Sequence, residues 1–286
     1  MSPGTVALVL AAATAHAVWN IASKYKREDT FLFVWAYTCA SALLCVPIGI
    51  VVIAKGQQVL DWRLMVGSAV SATLHIAYSL ILQAGYDRAE LGVVYSVARG
   101  TGPMLTMLFA VLLLGERLTT AAMLGAFLIV AGILFVVGNL FRSGSSRPLP
   151  GVFWGAATGA TIAGYTLWDS YSVTSWQLAP VSYYAGTLLL QSLILTPIAL
   201  LRRHRIPAVL RAGAMPIFIV AVFSPLAYIL VLTAMLSAPV ALVAPLRESS
   251  IVIGSFLAWW LFREGNLARR VAGGVIVLAG IVAISL

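Results

Sequence analysis

Charge is scarce in this chain of 286 residues, of which only 9% are Asp, Glu, Lys or Arg. A soluble domain carries about 25%. With 61% hydrophobic residues and a mean hydropathy of +1.00, the chain lacks the polar surface needed to face water. It therefore reads as a polytopic membrane protein. No ten-residue runs alternate polar and apolar positions, which excludes a lipid-facing barrel. Helices remain as the way to satisfy backbone groups in lipid, so the expected class is all-α.

Chemistry of the enzymatic kind is also missing. The sequence contains no HExxH, CxxC, GxSxG or GxxxxGK[ST] pattern, which argues against a metalloprotease, a redox dithiol, a serine hydrolase and an ATP-driven pump. No metal and no cofactor is expected. The two cysteines, Cys39 and Cys45, lie six positions apart in one apolar segment. They face different sides of a helix, so packing suits them better than a disulfide. The three histidines are scattered, and His204 lies in a basic loop. The net charge of +9 is concentrated in short loops, where it reads as a topology signal rather than a nucleic-acid surface.

Long apolar runs are abundant. Stretches of membrane length fall at about 3–23, 31–54, 64–84, 89–114, 119–139, 150–171, 179–201, 213–236, 239–262 and 267–286. The first has no basic residues before it and is expected to be a retained helix rather than a signal peptide. A Gly/Ser/Pro-rich linker near the middle, RSGSSRPLP, separates two related halves. At an offset of 148, Glu116 falls on Glu264, Gly125 on Gly273, Ala131-Gly132-Ile133 on Ala279-Gly280-Ile281, and Arg99 on Arg247. At 149, Trp19-Asn20 falls on Trp168-Asp169. The expected organisation is a five-helix repeat over 1–141, a linker over 142–149 and a second repeat over 150–286. Five is odd, so the second half must enter the membrane from the opposite side, which makes an inverted repeat of ten transmembrane helices.

Loop charge sets the orientation. Thirteen of the eighteen Lys and Arg residues lie in loops on one side, while Lys55, Arg63 and Arg117 lie on the other. The positive-inside rule puts the richer side in the cytoplasm and both termini outside.

Arg99 and Arg247 sit inside apolar spans beside helix breakers, in VYSVARGTGP and LVAPLRESSI. A guanidinium at membrane depth costs about 2.5 kcal/mol or more and marks a functional place by default. Arg99 is expected either to receive a ligand or to pair with Asp169. Arg247 is expected to meet backbone carbonyls or an acid from another span. Glu248 adjoins it but projects about 100° away on a continuous helix. Other polar groups recur at helical spacing: His16, Trp19 and Asn20 on one face, Tyr165, Trp168 and Asp169 on another, then His75 with Tyr78, and Tyr95 with Arg99. Trp19 and Trp168 equally suit interfacial anchoring, and His75 equally suits an interhelical hydrogen bond. Pro103 and Pro245 are expected to bend their spans. Gly151, Gly155, Gly159 and Ala163 form a small-residue packing face.

These residues carry a resemblance. Trp19-Asn20 and Trp168-Asp169 late in each half's first span, Leu114-Gly115-Glu116-Arg117-Leu118 and Phe262-Arg263-Glu264 before each half's last span, and the closing Ala-Gly-Ile triplets resemble the EamA-type exporters of the drug/metabolite transporter superfamily. The aromatic face with His75 and Arg99 is most similar to the aromatic amino acid exporters of the YddG type. The resemblance implies a bacterial inner-membrane secondary transporter, expected as a monomer, that exports neutral or aromatic amino acids and related metabolites by alternating access. Trp19, Asn20, His75, Tyr78, Tyr95, Arg99, Trp168 and Asp169 would then bind substrate, with Pro103, Pro245, Arg247 and Glu248 at hinge or gate. Export of cationic drugs or other metabolites is the alternative within transport. A membrane-embedded enzyme or a receptor is the alternative outside it.

Overall fold

A computed structural model describes residues 1–23, 25, 29–89, 91–137, 149–262 and 267–285. The linker and the Arg263-Glu264-Gly265-Asn266 segment thus lie, wholly or nearly so, outside the described residues. Among those described, the chain forms helices and no strand. They are α1 Pro3–Ser23, α2 Thr30–Ala54, α3 Trp62–Arg88, α4 Leu91–Leu113, α5 Thr120–Val137, α6 Leu149–Thr174, α7 Pro180–Leu201, α8 Ile206–Ala212, α9 Ala214–Met235, α10 Val240–Arg247, α11 Ser250–Phe262 and α12 Leu267–Ser285. Among the described residues, six helices are long and apolar enough to cross a membrane.

Two departures from the sequence reading matter. The stretch 239–262 is broken, because α10 ends at Arg247 and α11 begins at Ser250. Pro245 has no N–H for the carbonyl of Ala241, and its ring crowds that turn. By contrast, Pro103 sits within an uninterrupted α4. The expected bend at Pro103 is therefore no break in the helix. The basic connection after α7 also folds, into a short turn over Arg203–Arg205 and then α8.

Small residues decide which helices touch. The Gly151, Gly155 and Gly159 face of α6 packs on α4: a Cβ on Gly155 would lie 2.6 Å from Val97 Cβ, and one on Gly159 1.9 Å from Thr101 Oγ1. α5 and α12 meet backbone to backbone. A Cβ on Gly125 would sit 2.7 Å from the Gly280 carbonyl oxygen, and one on Gly280 2.6 Å from that of Gly125. Such close approach is how helices adhere where lipid removes the hydrophobic drive. α2 packs on α7, α1 on α9, and α3 on α6.

The bundle has two ends. One carries the connections after α1, α3 and α7. The other carries Met1, whose ammonium donates to Ile284 O at 3.0 Å, and the Thr5–Ser237 hydroxyl pair at 3.1 Å. At that second end Gly115 adopts φ +68°, a left-handed turn that suits glycine. The turn aims Glu116 at the start of α10. Its two carboxylate oxygens accept from Val240 N at 2.7 Å and Ala241 N at 3.0 Å. Pro239, the residue before α10, offers no side-chain cap, so a distant residue satisfies the free amides and complements the helix dipole.

Gly280→Leu is expected to cost about 3 kcal/mol or more through overpacking, seen as a lowered melting temperature and lost monodisperse yield in detergent. Gly164→Ala, where nothing lies within 4 Å of the added carbon, is the matched control and should leave both unchanged.

Candidate functional site

Helices α1, α2, α3, α4, α6, α7, α9 and α10 surround a cavity of about 510 Å³. Its lining runs from Asp29, Phe31 and Arg202, at the end with the basic connections, inward to Arg99, Tyr165 and Arg247. No described residue from the loops of the opposite end lines it. The cavity thus opens at the end with the basic connections and reaches past the middle of the bundle to Tyr184 and Val231.

The inner wall is built around one carboxylate. Glu248 is 2% exposed and holds two guanidinium groups. Arg99 Nη1 donates to Oε2 at 2.8 Å, and Arg247 Nη2 donates to Oε1 at 3.1 Å. Arg247–Glu248 pairing is possible because α10 ends at Arg247. On a continuous helix these neighbours diverge, but in the break the two side chains converge. The expected Arg99–Asp169 pair is not formed. Arg99 also lies over the Tyr95 ring, 5.2 Å from its centre, a cation–π contact.

Asp169 is fully buried and occupied elsewhere. Its Oδ1 accepts from Tyr183 OH at 2.6 Å, and its Oδ2 accepts from Tyr228 OH. Trp168 Nε1 donates to Gly67 O at 3.0 Å, and its ring packs on Tyr171 and Trp176. These two residues tie α6 to α3, α7 and α9. They do not line the cavity, and neither do Asn20 and Tyr95. Trp19, His75, Tyr78 and Arg99 do.

His75 sits in an aromatic cluster that spacing alone does not reveal. Its ring stacks on Tyr165 at 4.2 Å and meets Tyr228 edge-on at 5.3 Å. Tyr184 lies 4.8 Å from Tyr228, and Tyr78 lies 5.7 Å from Tyr165. His75 Nδ1 is 2.9 Å from Ser71 O. A carbonyl only accepts, so Nδ1 is the donor and Nε2 keeps a lone pair. The expected interhelical hydrogen bond is replaced by one within α3, and the His75 ring lines the cavity. Tyr184, Tyr228 and Gln191 were given no role by the sequence patterns. The available signal was their polarity within apolar spans.

At the mouth, Asp29 accepts from the Phe31 and Leu32 amides at 3.0 and 3.3 Å, capping α2. Arg202 reaches the same carboxylate at 2.9 Å and Arg205 at 3.6 Å. Partial burial pushes the Asp29 carboxyl up, but the Leu32 amide, Arg202 and the Phe31 amide together hold it below its ordinary value.

Apolar helices around a one-ended cavity lined by aromatic and polar side chains are the architecture expected of a helical membrane carrier. The sequence model of the EamA-like transporter family matches residues 4–138 and again residues 149–286. The chain belongs to that family, and is a multi-pass membrane transporter of small molecules rather than an enzyme. A solved crystal structure of a protein is similar in fold, with a TM-score of 0.79 over 99% of this chain and 96% of its own, at 17% identity.

Glu248→Ala leaves two buried guanidinium groups facing each other, which should cost about 3–5 kcal/mol and lower the melting temperature in detergent. Replacing the whole cluster, as R99M/R247M/E248L, should recover most of that loss. The Asp29 clasp has a defined pH dependence. Because the folded value is lowered, its contribution is complete above the unfolded value of about 3.9. It is lost as pH falls through the folded value. Asp29→Asn should therefore melt earlier than the parent at neutral pH, and the gap should narrow as pH falls below the ordinary carboxylate range.

Proposed function

We propose that the chain is a secondary exporter that carries small carboxylates, neutral and aromatic amino acids foremost, through the central cavity by alternating access. One observation carries this reading: a guanidinium, Arg99, on the cavity wall at the depth where the aromatic cluster begins. Guanidinium matches a carboxylate in shape and charge. The rings of Trp19, Tyr78, Tyr165 and Tyr228 supply flat apolar walls for an aromatic side chain. The same charge argues against cationic drugs as cargo, since both charged groups deep in the lining, Arg99 and Arg247, are cations.

The proposed architecture is ten spans in two inverted repeats, 1–141 and 150–286, joined at 142–149. The double match of the family model supports it. So does the packing, in which α2 meets its counterpart α7, α5 meets α12, and the α3–α6 pair is mirrored by α9–α1. On this topology the basic end faces the cytoplasm, so the cavity is open inward, with both termini on the far side of a bacterial inner membrane. The α10–α11 break, with Pro245, Arg247 and Glu248, is the proposed hinge, and α4 with Pro103 moves as a rod beside it.

Proteoliposomes with labelled phenylalanine or threonine test this reading. Arg99→Ala should weaken apparent affinity by more than tenfold, and Arg99→Lys should retain part of it. Unchanged flux and affinity in Arg99→Ala would remove Arg99 from the site.

A further inference from the structure

A second hollow, of about 620 Å³, shares no lining residue with the central cavity. Val18, Ile21 and Tyr25, at the spacing of one helix face, form its wall on α1. Met215 and Ile219 of α9 form the facing wall, and Leu257 of α11 completes it. Beneath it α1 and α11 come together, where a Cβ on Gly254 would lie 3.7 Å from Ala17 Cβ. Met215 and Tyr25 are exposed, so the hollow is a groove on the outside of the bundle. It lies at the end with the basic connections. Val18 is five residues before the end of α1, Ile219 five after the start of α9, and Leu257 five before the end of α11. At the helical rise that depth is about 7–8 Å. The groove also bridges the two stretches that match the family model, since α1 belongs to one and α9 and α11 to the other.

Apart from Tyr25, every lining side chain is apolar. A polar solute finds almost nothing to bond there, whereas a hydrocarbon chain from the surrounding bilayer restores the dispersion contacts that an empty groove forfeits. The charge beside the groove has one sign. From Arg202 to Met235 the chain holds four arginines and no acid. Arg202 and Arg205 are taken up by Asp29. Arg211 is exposed in the last turn of α8 and adjoins Ala212 of the groove wall. It pairs with no acid among the described residues. A guanidinium fork suits a phosphate ester.

We infer that this groove is a binding site for an anionic glycerophospholipid, with an acyl chain between α1, α9 and α11 and the phosphate at Arg211. Basic pockets between membrane helices are where anionic headgroups settle. Because its walls come from both matched stretches, a lipid held here fastens them to each other from outside. The inference is independent of what the central cavity carries.

Native mass spectrometry of the purified full chain tests this, with phosphatidylglycerol and phosphatidylcholine of identical acyl chains added in equal amounts. One basic residue beside an anionic headgroup is worth about fivefold in binding. The parent should therefore retain phosphatidylglycerol about fivefold over phosphatidylcholine, and melt later in its presence. Arg211→Gln should bring the two lipids near parity. Arg88→Gln, at the same end of the bundle but outside the groove, should leave the preference intact. Met215→Trp, which fills the groove from an exposed position, should lower retention of both lipids. Melts without added lipid check that each variant folds. Equal retention of the two lipids by the parent would overturn the inference, as would a preference that survives Arg211→Gln or falls equally in Arg88→Gln. Undiminished retention in Met215→Trp, or the same thermal shift from soluble glycerol phosphate, would overturn it too.

Discussion

A single carboxylate, shared between two guanidinium groups, is the constraint around which this bundle is arranged. Glu248 holds Arg99 and Arg247 at once, and both arginines would be prohibitively costly in lipid without it. The arrangement has structural prerequisites. α10 must stop at Arg247 so that adjacent side chains converge, and Pro245 helps to stop it. α4 must lie close to α10, which is possible because Gly155 and Gly159 let α6 support α4 from behind. The small residues, the proline and the ion cluster therefore form one design, in which backbone proximity delivers charge to charge.

Much of this was legible in the residues themselves. Scarce charge and long apolar runs indicate membrane helices, and the glycine face of α6 reads directly as a contact surface. Arg99, Trp19, His75 and Tyr78 stand out as polar groups in apolar surroundings, and they do meet at the cavity. The partner choices were hidden. Asp169 looks available to Arg99 in the sequence, but it is satisfied by tyrosines from α7 and α9, helices far from it in the chain or turned towards it only by packing. Glu248 and Arg247 look divergent on a helical wheel and converge because the helix ends between them. Spacing describes one helix at a time, whereas these contacts are set by which helices face each other.

The two Trp-acid or Trp-amide pairs show the same limit. Trp19 lies on the cavity wall, while Trp168, also half-buried, packs against Trp176 and Tyr171. Similar sequence words thus occupy opposite ends of the molecule, one beside the cavity and one away from it. The polar interior divides accordingly. Asp169, with Tyr183 and Tyr228, is saturated and fastens three helices together. Arg99, Arg247, Trp19 and Gln191 instead line the void. The first group sets shape and the second leaves something for a guest to do.

Glu116 gives α10 an unexpected allegiance. By chain order α10 belongs with α9 and α11. Yet its leading amides are held by Glu116, from the connection between α4 and α5, and the residue at its trailing end is held by Arg99 of α4. An eight-residue helix gripped at both tips by α4 and its loop is braced as a splint on α4. Motion of one part of the bundle against the other would then be divided along a line the covalent chain does not follow, with the seam running through the α10–α11 break.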